Sequence, residues 1–398
     1  MFSKTKTIPR GVAALTAALL LTVTGCSGED RHDPPPPPPR WQLDHLTASR
    51  DSAVTDIAAA GRDEGWALRT EVPDDAPTEY VLLRRRGADW RQAEMPLRPL
   101  KDAVFANVHL EASAPDNVWL FALQLGDGDY EEAAKPTAVR WDGRAWRGTS
   151  VDFGVSDVVV LAADDVWVAP SDRAADLLHW DGARWSEQDL PIDDVQALGG
   201  TGPDDVWAVG YTDDRPTALH FDGKKWRSLP TPPMSRPEPS PENEDTALND
   251  VIAVSPDEMW AFGYHRWTDA REQDHETSLA LRWDGERWHR APASLVTALG
   301  GKPELNSAGA PDGRGGFVLG GLHRTADGTE QPIRLPGPVA GRSGKITASD
   351  RRQEYSFDEL ELVPGTREIW AAGSVDVDGP ADDSNFMRGV IASYTIGG

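Results

Sequence analysis

An aromatic residue behind an acidic turn returns seven times along this chain, and no other feature restricts its fold as much. The anchors are Trp66 in DEGWAL, Trp119 in DNVWLF, Trp167 in DDVWVA, Trp207 in DDVWAV, Trp260 in DEMWAF, Phe317 in RGGFVL and Trp370 in REIWAA. Their separations are 53, 48, 40, 53, 57 and 53 residues, which is in the range of four-stranded propeller blades. A second marker comes after four of the anchors: Trp141-DGRA-Trp146, Trp180-DGAR-Trp185, Phe221-DGKK-Trp226 and Trp283-DGER-Trp288. A short hairpin loop with glycine available for positive φ would set each aromatic pair opposite one another on neighbouring strands. In the first unit Arg85, Gly87 and Trp90 keep the spacing without the first aromatic.

The two ends complement each other. Residues 41–46, WQLDHL, match the segment that ends the other units, as in WRQAEMPL, WSEQDLP and WRSLP. The seventh unit offers strand one near Asp358 to Val363, strand two around Trp370 and strand three at Gly389 to Ile396, and then has no fourth. The expected fold is all-β: a seven-bladed β-propeller of four-stranded antiparallel blades, closed by the N-terminal strand 41–46 joining the last blade. The blades fall at about 53–97, 104–151, 155–191, 194–230, 247–292, 305–347 and 358–396 with 41–46, with blade six degenerate. Runs such as VWAVG and MWAFG are apolar on both faces, as stacked sheets require. Pro-Asp pairs at 203–204, 115–116, 256–257 and 311–312 suit the turn between strands one and two. Most of the 16 tryptophans occupy repeat positions and read as inter-blade packing.

An apolar run ending in glycine, a variable loop, an aromatic-Asp pair, then Trp and a nearby Pro resembles the kelch and galactose-oxidase-type propellers over residues 41–398. The resemblance implies the architecture. It departs from the kelch pattern in having Gly-Gly after strand two only at Gly320-Gly321. Demands of propeller enzymes are not met: the one cysteine, Cys26, cannot supply a copper oxidase's Tyr-Cys cross-link, and Asp boxes, HExxH, GxSxG and P-loop motifs do not occur. His179 and His220 stand where blades two and five carry Arg140 and Arg282, which reads as a polar strand position and not a ligand pair.

The amino terminus reads as targeting. Lys4, Lys6 and Arg10 precede an apolar stretch from Gly11 to Val23, too short for an ordinary membrane span. Val23-Thr24-Gly25-Cys26 resembles the lipobox of bacterial lipoproteins, so residues 1–25 are expected to be a signal peptide and Cys26 the lipidation site. Residues 26–40 form a linker whose six prolines, Pro34 to Pro39, would span roughly 19 Å as polyproline II. The expectation is an extracytoplasmic monomer held to the cell membrane by lipid alone. A net charge of −25, made more negative by loss of Lys4, Lys6 and Arg10, excludes nucleic acid as a natural partner and suits a cationic one.

Two acidic features are candidates for function. Loops joining strands two and three, with those joining successive blades, share one face of a meander propeller. They carry Asp74, Asp75 and Glu79, then Asp213 and Asp214, then Asp269, Glu272, Asp274 and Glu276, and so on to Asp376, Asp378, Asp382 and Asp383; Asp327 and Glu330 stand for blade six. The second feature is a ring at the starts of the innermost strands: Asp56, Asn107, Asp157, Asp194, Asp250, Asn306 and Asp358. Carboxylates and amides so placed could hold Ca²⁺, a hard cation that prefers oxygen, or could instead cap adjacent turns. The function expected is a surface-anchored, non-catalytic propeller that recognises a cell-envelope protein or glycan through its acidic upper face. The alternative is a carbohydrate-active propeller, either a lectin or a hydrolase with paired carboxyls in the channel mouth.

Overall fold

The computed structural model describes residues 39–72, 78–97, 104–125, 135–149, 151–171, 176–213, 215–233, 244–269, 271–298, 309–341, 344–348, 350–377 and 386–397. Cys26, Pro34 to Pro38 of the polyproline run and Asn306 lie outside the described residues, as do Asp74, Asp75, Asp214, Asp378, Asp382 and Asp383. The folded unit runs from Pro38 to Gly398. Seven four-stranded antiparallel sheets make it up, six of them meanders in chain order. In the seventh, strands Tyr355–Leu362, Glu368–Val377 and Phe386–Thr395 are joined at the outer edge by Gln42–Leu46. The first strand of each blade packs against the first strands of its neighbours, and that of blade seven against that of blade one. The first strands are therefore innermost, and the ring is closed.

Second strands carry the core. Asp165–Pro170 is buried along its whole length, whereas the outer strand Trp226–Leu229 is half-buried at its ends and exposed between them. This is the gradient expected when each sheet is sandwiched at its centre and open at its rim. Glycine closes three second strands for a steric reason. A Cβ at Gly210, Gly263 or Gly373 would lie 1.9–2.0 Å from the carbonyl oxygen of Asp194, Ala247 or Ser356. These positions face the start of a β-bulge in the innermost strand, which pushes that backbone toward them.

The hairpin pairs meet as their spacing implies: Trp141 faces Trp146, Trp180 faces Trp185, Phe221 faces Trp226 and Trp283 faces Trp288. In each loop the Asp side chain accepts two backbone N–H groups, as Asp222 does from Lys224 and Lys225, and glycine takes positive φ. The anchor of one blade then inserts against the hairpin aromatics of the next. Trp66 meets Trp141 and Trp146, Trp119 meets Trp180 and Trp185, Trp167 meets Phe221 and Trp226, and Trp207 meets Trp283 and Trp288, with centroids 5.0–5.9 Å apart. Such pairs contribute about 0.5–1.5 kcal/mol each beyond area burial.

The anchors Trp167, Trp207, Trp260 and Trp370 have a polar back, whereas Trp66 and Trp119 do not. Asp165 accepts Trp167 Nε1–H at 2.9 Å and pairs with His179 at 2.8 Å; Asp205 does the same with Trp207 and His220. Glu258 repeats the arrangement with Trp260 and Arg282. His179 and His220 are thus paired within their own blades and stacked on the anchors, with centroids 4.1 and 4.4 Å apart.

Trp41 is fully buried beside the closing strand, packed on Phe357 and Tyr394, with Nε1–H donating to the Gly320 carbonyl at 2.7 Å. It therefore ties blade seven to blade six. Blade six is the reduced one, with four strands of three residues each. This shortening corrects one assignment. Gly320 and Gly321 alone join its second and third strands, so Asp327 sits in the hairpin between strands three and four, on the opposite face from the acidic loops, and Glu330 opens the outer strand.

Candidate ligand site in the central channel

Bulges decide which side chains of the innermost strands are equivalent. Taking the residue paired two positions beyond each anchor, the register gives Asp56, His109, Asp157, Ala197, Asp250, Gly309 and Glu359. The positions opposite the anchors themselves are Ala58, Glu111, Val159, Gly199, Ile252, Pro311 and Glu361. Of the seven residues anticipated from the sequence, Asp56, Asp157 and Asp250 share the first of these levels. Asn107 and Asp358 fall inside bulges, and Asp194 lies three residues ahead of the level. Glu111, Glu359 and Glu361 were not anticipated.

Asp56 and Asp157 link blades. Asp56 Oδ2 accepts the Leu110 N–H at 2.8 Å, and Asp157 Oδ2 accepts the Leu198 N–H at 2.6 Å, each from the innermost strand of the next blade. They cap backbone, but that of the neighbouring blade and not of an adjacent turn. Asp194 is held from the side by Gln196 Nε2 at 2.6 Å, and Asp358 accepts the Ser356 hydroxyl.

Electrostatically the channel is one-sided. Loss of hydration pushes Asp56 up to about 7, Asp157 to about 6, Asp250 to about 7 and Glu361 to about 8. The same cause drives Glu111 and Glu359 well above the ordinary range, with repulsion from the other channel carboxylates added. Among the described residues no cation offsets any of these six. His109 offers none, because burial lowers its imidazole to about 4.

A cavity of about 480 Å³ opens among Glu111, Asp157, Asn249, Asp250, Asp358 and Glu359. Asn249 Oδ1 is buried there without a hydrogen-bond partner. The lining is thus rich in carboxyl and amide oxygens, and its remaining residues are aliphatic or glycine. Among the described residues no group of three or more His, Cys, Asp or Glu side chains is placed to hold a metal ion. The chemistry offered is reception of a hydrogen-bond donor carrying positive charge.

No protein-family model and no curated protein matches this chain. Among solved structures it is similar to YCF48 bound to D1 peptide, at 12% identity over 90% of this chain and 98% of that one, with a TM-score of 0.48. It is similar to U3-55K at 11% identity over 88% and 98%, also with a TM-score of 0.48. A third similar structure is the Penicillium chrysogenum α-L-arabinanase complexed with arabinobiose, at 9% identity over 89% and 96% and a TM-score of 0.38. Likeness at this level does not reach function. The seven closed sheets establish the seven-bladed propeller by themselves.

Proposed function

We propose that this protein is a lipid-anchored, extracytoplasmic binding propeller of kelch-like type, and that its channel mouth receives a cationic group such as a lysine or arginine side chain of a cell-envelope partner. One observation carries the proposal: a cavity of about 480 Å³ lined by five carboxyl groups and an unpartnered amide oxygen. Burying a charge without a partner is costly, so the channel holds protons in place of counter-ions. An entering ammonium or guanidinium would displace those protons and supply the missing charge. Proteins whose loops surround a rigid ring are well suited to such recognition.

The carbohydrate-active alternative draws support from the raised carboxyls. A glycosidase, however, needs two carboxyls whose environments push them apart, one acid and one ionised. Here every carboxyl in the cavity with a resolved shift moves upward, and among the described residues no aromatic ring lines it for sugar stacking.

The test is calorimetric titration of the full chain in detergent with hexalysine and hexaglutamate. Hexalysine should bind and hexaglutamate should not. A combined D157N/D250N/E359Q variant should lose the hexalysine site while retaining most of the surface charge. Equal binding by wild type and variant would sink the channel-mouth assignment.

A further inference from the structure

The outer hairpin of blade one departs from its four sisters at two positions. In the sisters an aromatic residue, then Asp142, Asp181, Asp222 or Asp284, precedes the turn glycine. Each Asp accepts two backbone N–H groups, and three of them also pair with a side chain of the outer strand, Arg147, Arg227 or His289, each at 2.5 Å. Blade one, whose third and outer strands are Glu79–Arg86 and Asp89–Gln92, has Arg85 in place of the aromatic and Arg86 in place of the Asp. Gly87 keeps its positive φ of 68°, so the turn survives without its cap. Replacing a capping anion by a cation forfeits local stability, and such departures from an internal rule mark functional positions.

The cations there are not all neutralised. Arg84 pairs with Glu64, and Arg91 with Asp89 at 2.7 Å. Arg86 is exposed and has no carboxylate partner among the described residues. Arg84, Arg86 and Arg91, with the indoles of Trp66, Trp141 and Trp146, line an open cleft of about 520 Å³ between blades one and two. Glu94 also borders it, but past the end of the outer strand, whereas Arg86 stands at the turn opposite Asp89.

Asp89 and Gln92 line the cleft as well, and Asp89 is already paired with Arg91. Trp66 is 2% exposed and Trp141 9%, yet Nε1 of each is buried without a partner, as is Nε of Arg84. Unmatched buried donors are costly; the same three recur at Trp119, Arg140 and Trp180 in the next interlock, so it is Arg86 that sets this cleft apart. This is the reverse of the channel, where acceptors go unmatched. Arg84 already lies over Trp66 and Trp141, so an occupant should be anionic, rich in oxygen acceptors, and able to lie against the half-buried Trp146. A volume of about 520 Å³ is that of a small-molecule site and not of a long peptide groove.

We propose that this cleft binds a carboxylate-bearing sugar, with Arg86 taking the carboxylate. The proposal does not depend on the channel reading. Its test is titration of the full chain in detergent with trigalacturonate, with maltotriose as the neutral control and hexaglutamate as the acidic-peptide control. Trigalacturonate should bind with a dissociation constant below about 1 mM, and maltotriose should not. Arg86→Asp restores the sister sequence and its turn cap, so it should melt no lower than wild type while weakening trigalacturonate by about tenfold or more. Arg86→Lys should retain part of the affinity. Absence of trigalacturonate binding, or equal binding by R86D, would overturn the proposal. Hexaglutamate bound in place of the sugar, and lost in R86D, would also overturn it by making the cleft an acidic-peptide site.

Discussion

Asp56, Asp250 and Glu361 hold protons at pH values where an ordinary carboxyl has lost them, because the channel strips hydration and returns no positive charge. Between about pH 4 and pH 8 the folded protein therefore binds protons that the unfolded chain has released, and stability falls as pH rises through that range. The turn carboxyls Asp142, Asp269, Asp284 and Asp327 are lowered to about 2 by hydrogen bonds, and their contribution is lost only as pH falls below the ordinary carboxylate range. Melting temperature should rise between pH 8 and pH 5, and a D250N/E361Q variant should melt higher than wild type at pH 8 with a shallower pH slope. An unchanged slope would show that these groups are hydrated and ordinary. At this scale the sequence is partly legible. Asp56, Asp157 and Asp250 are visible as acids ahead of an anchor. Glu111, Glu359 and Glu361 are not, because they lie beyond the strand starts and the bulges shift which residues stand level. Counting ten residues back from an anchor lands on Asp56, His109, Asp157, Ala197 and Asp250, so the signal lies in the spacing.

The strand elements are more legible than the side chains they place. Trp141 and Trp146 are paired because a four-residue loop with Asp and Gly admits one short geometry. The bulges are harder to foresee, although their mark is present in the glycines that end VWAVG, MWAFG and IWAAG. Those glycines are obligatory for packing. Gly263→Ala should destabilise by about 1–3 kcal/mol, since its Cβ would meet backbone and not a movable side chain. Urea unfolding would measure it, and a variant as stable as wild type would mean that the bulge can relax. Blade six hides its acidic positions for a related reason. With neither the Trp anchor nor a WDGxxW marker, nothing in its sequence shows how early the third strand begins, and Asp327 falls on the face opposite to the one expected.

For the whole molecule, seven anchors and two complementary ends specify a closed ring, and the first strands do meet in one. Closure depends on a few contacts far apart in sequence. Trp41→Ala should cost about 3–5 kcal/mol, as expected for a fully buried aromatic, because it opens the junction of blades six and seven. A denaturation midpoint unchanged in W41A would mean that the ring is held without its latch. The ring in turn creates the channel, which on this reading takes a cation in exchange for protons. Calorimetric titration of hexalysine into the full chain near pH 7, repeated in buffers of different ionisation enthalpy, tests it most directly. Binding should be accompanied by net proton release, and the release should be abolished in D157N/D250N/E359Q. Binding without proton release, or release that persists in that variant, would place the cation on the acidic surface and contradict the claim.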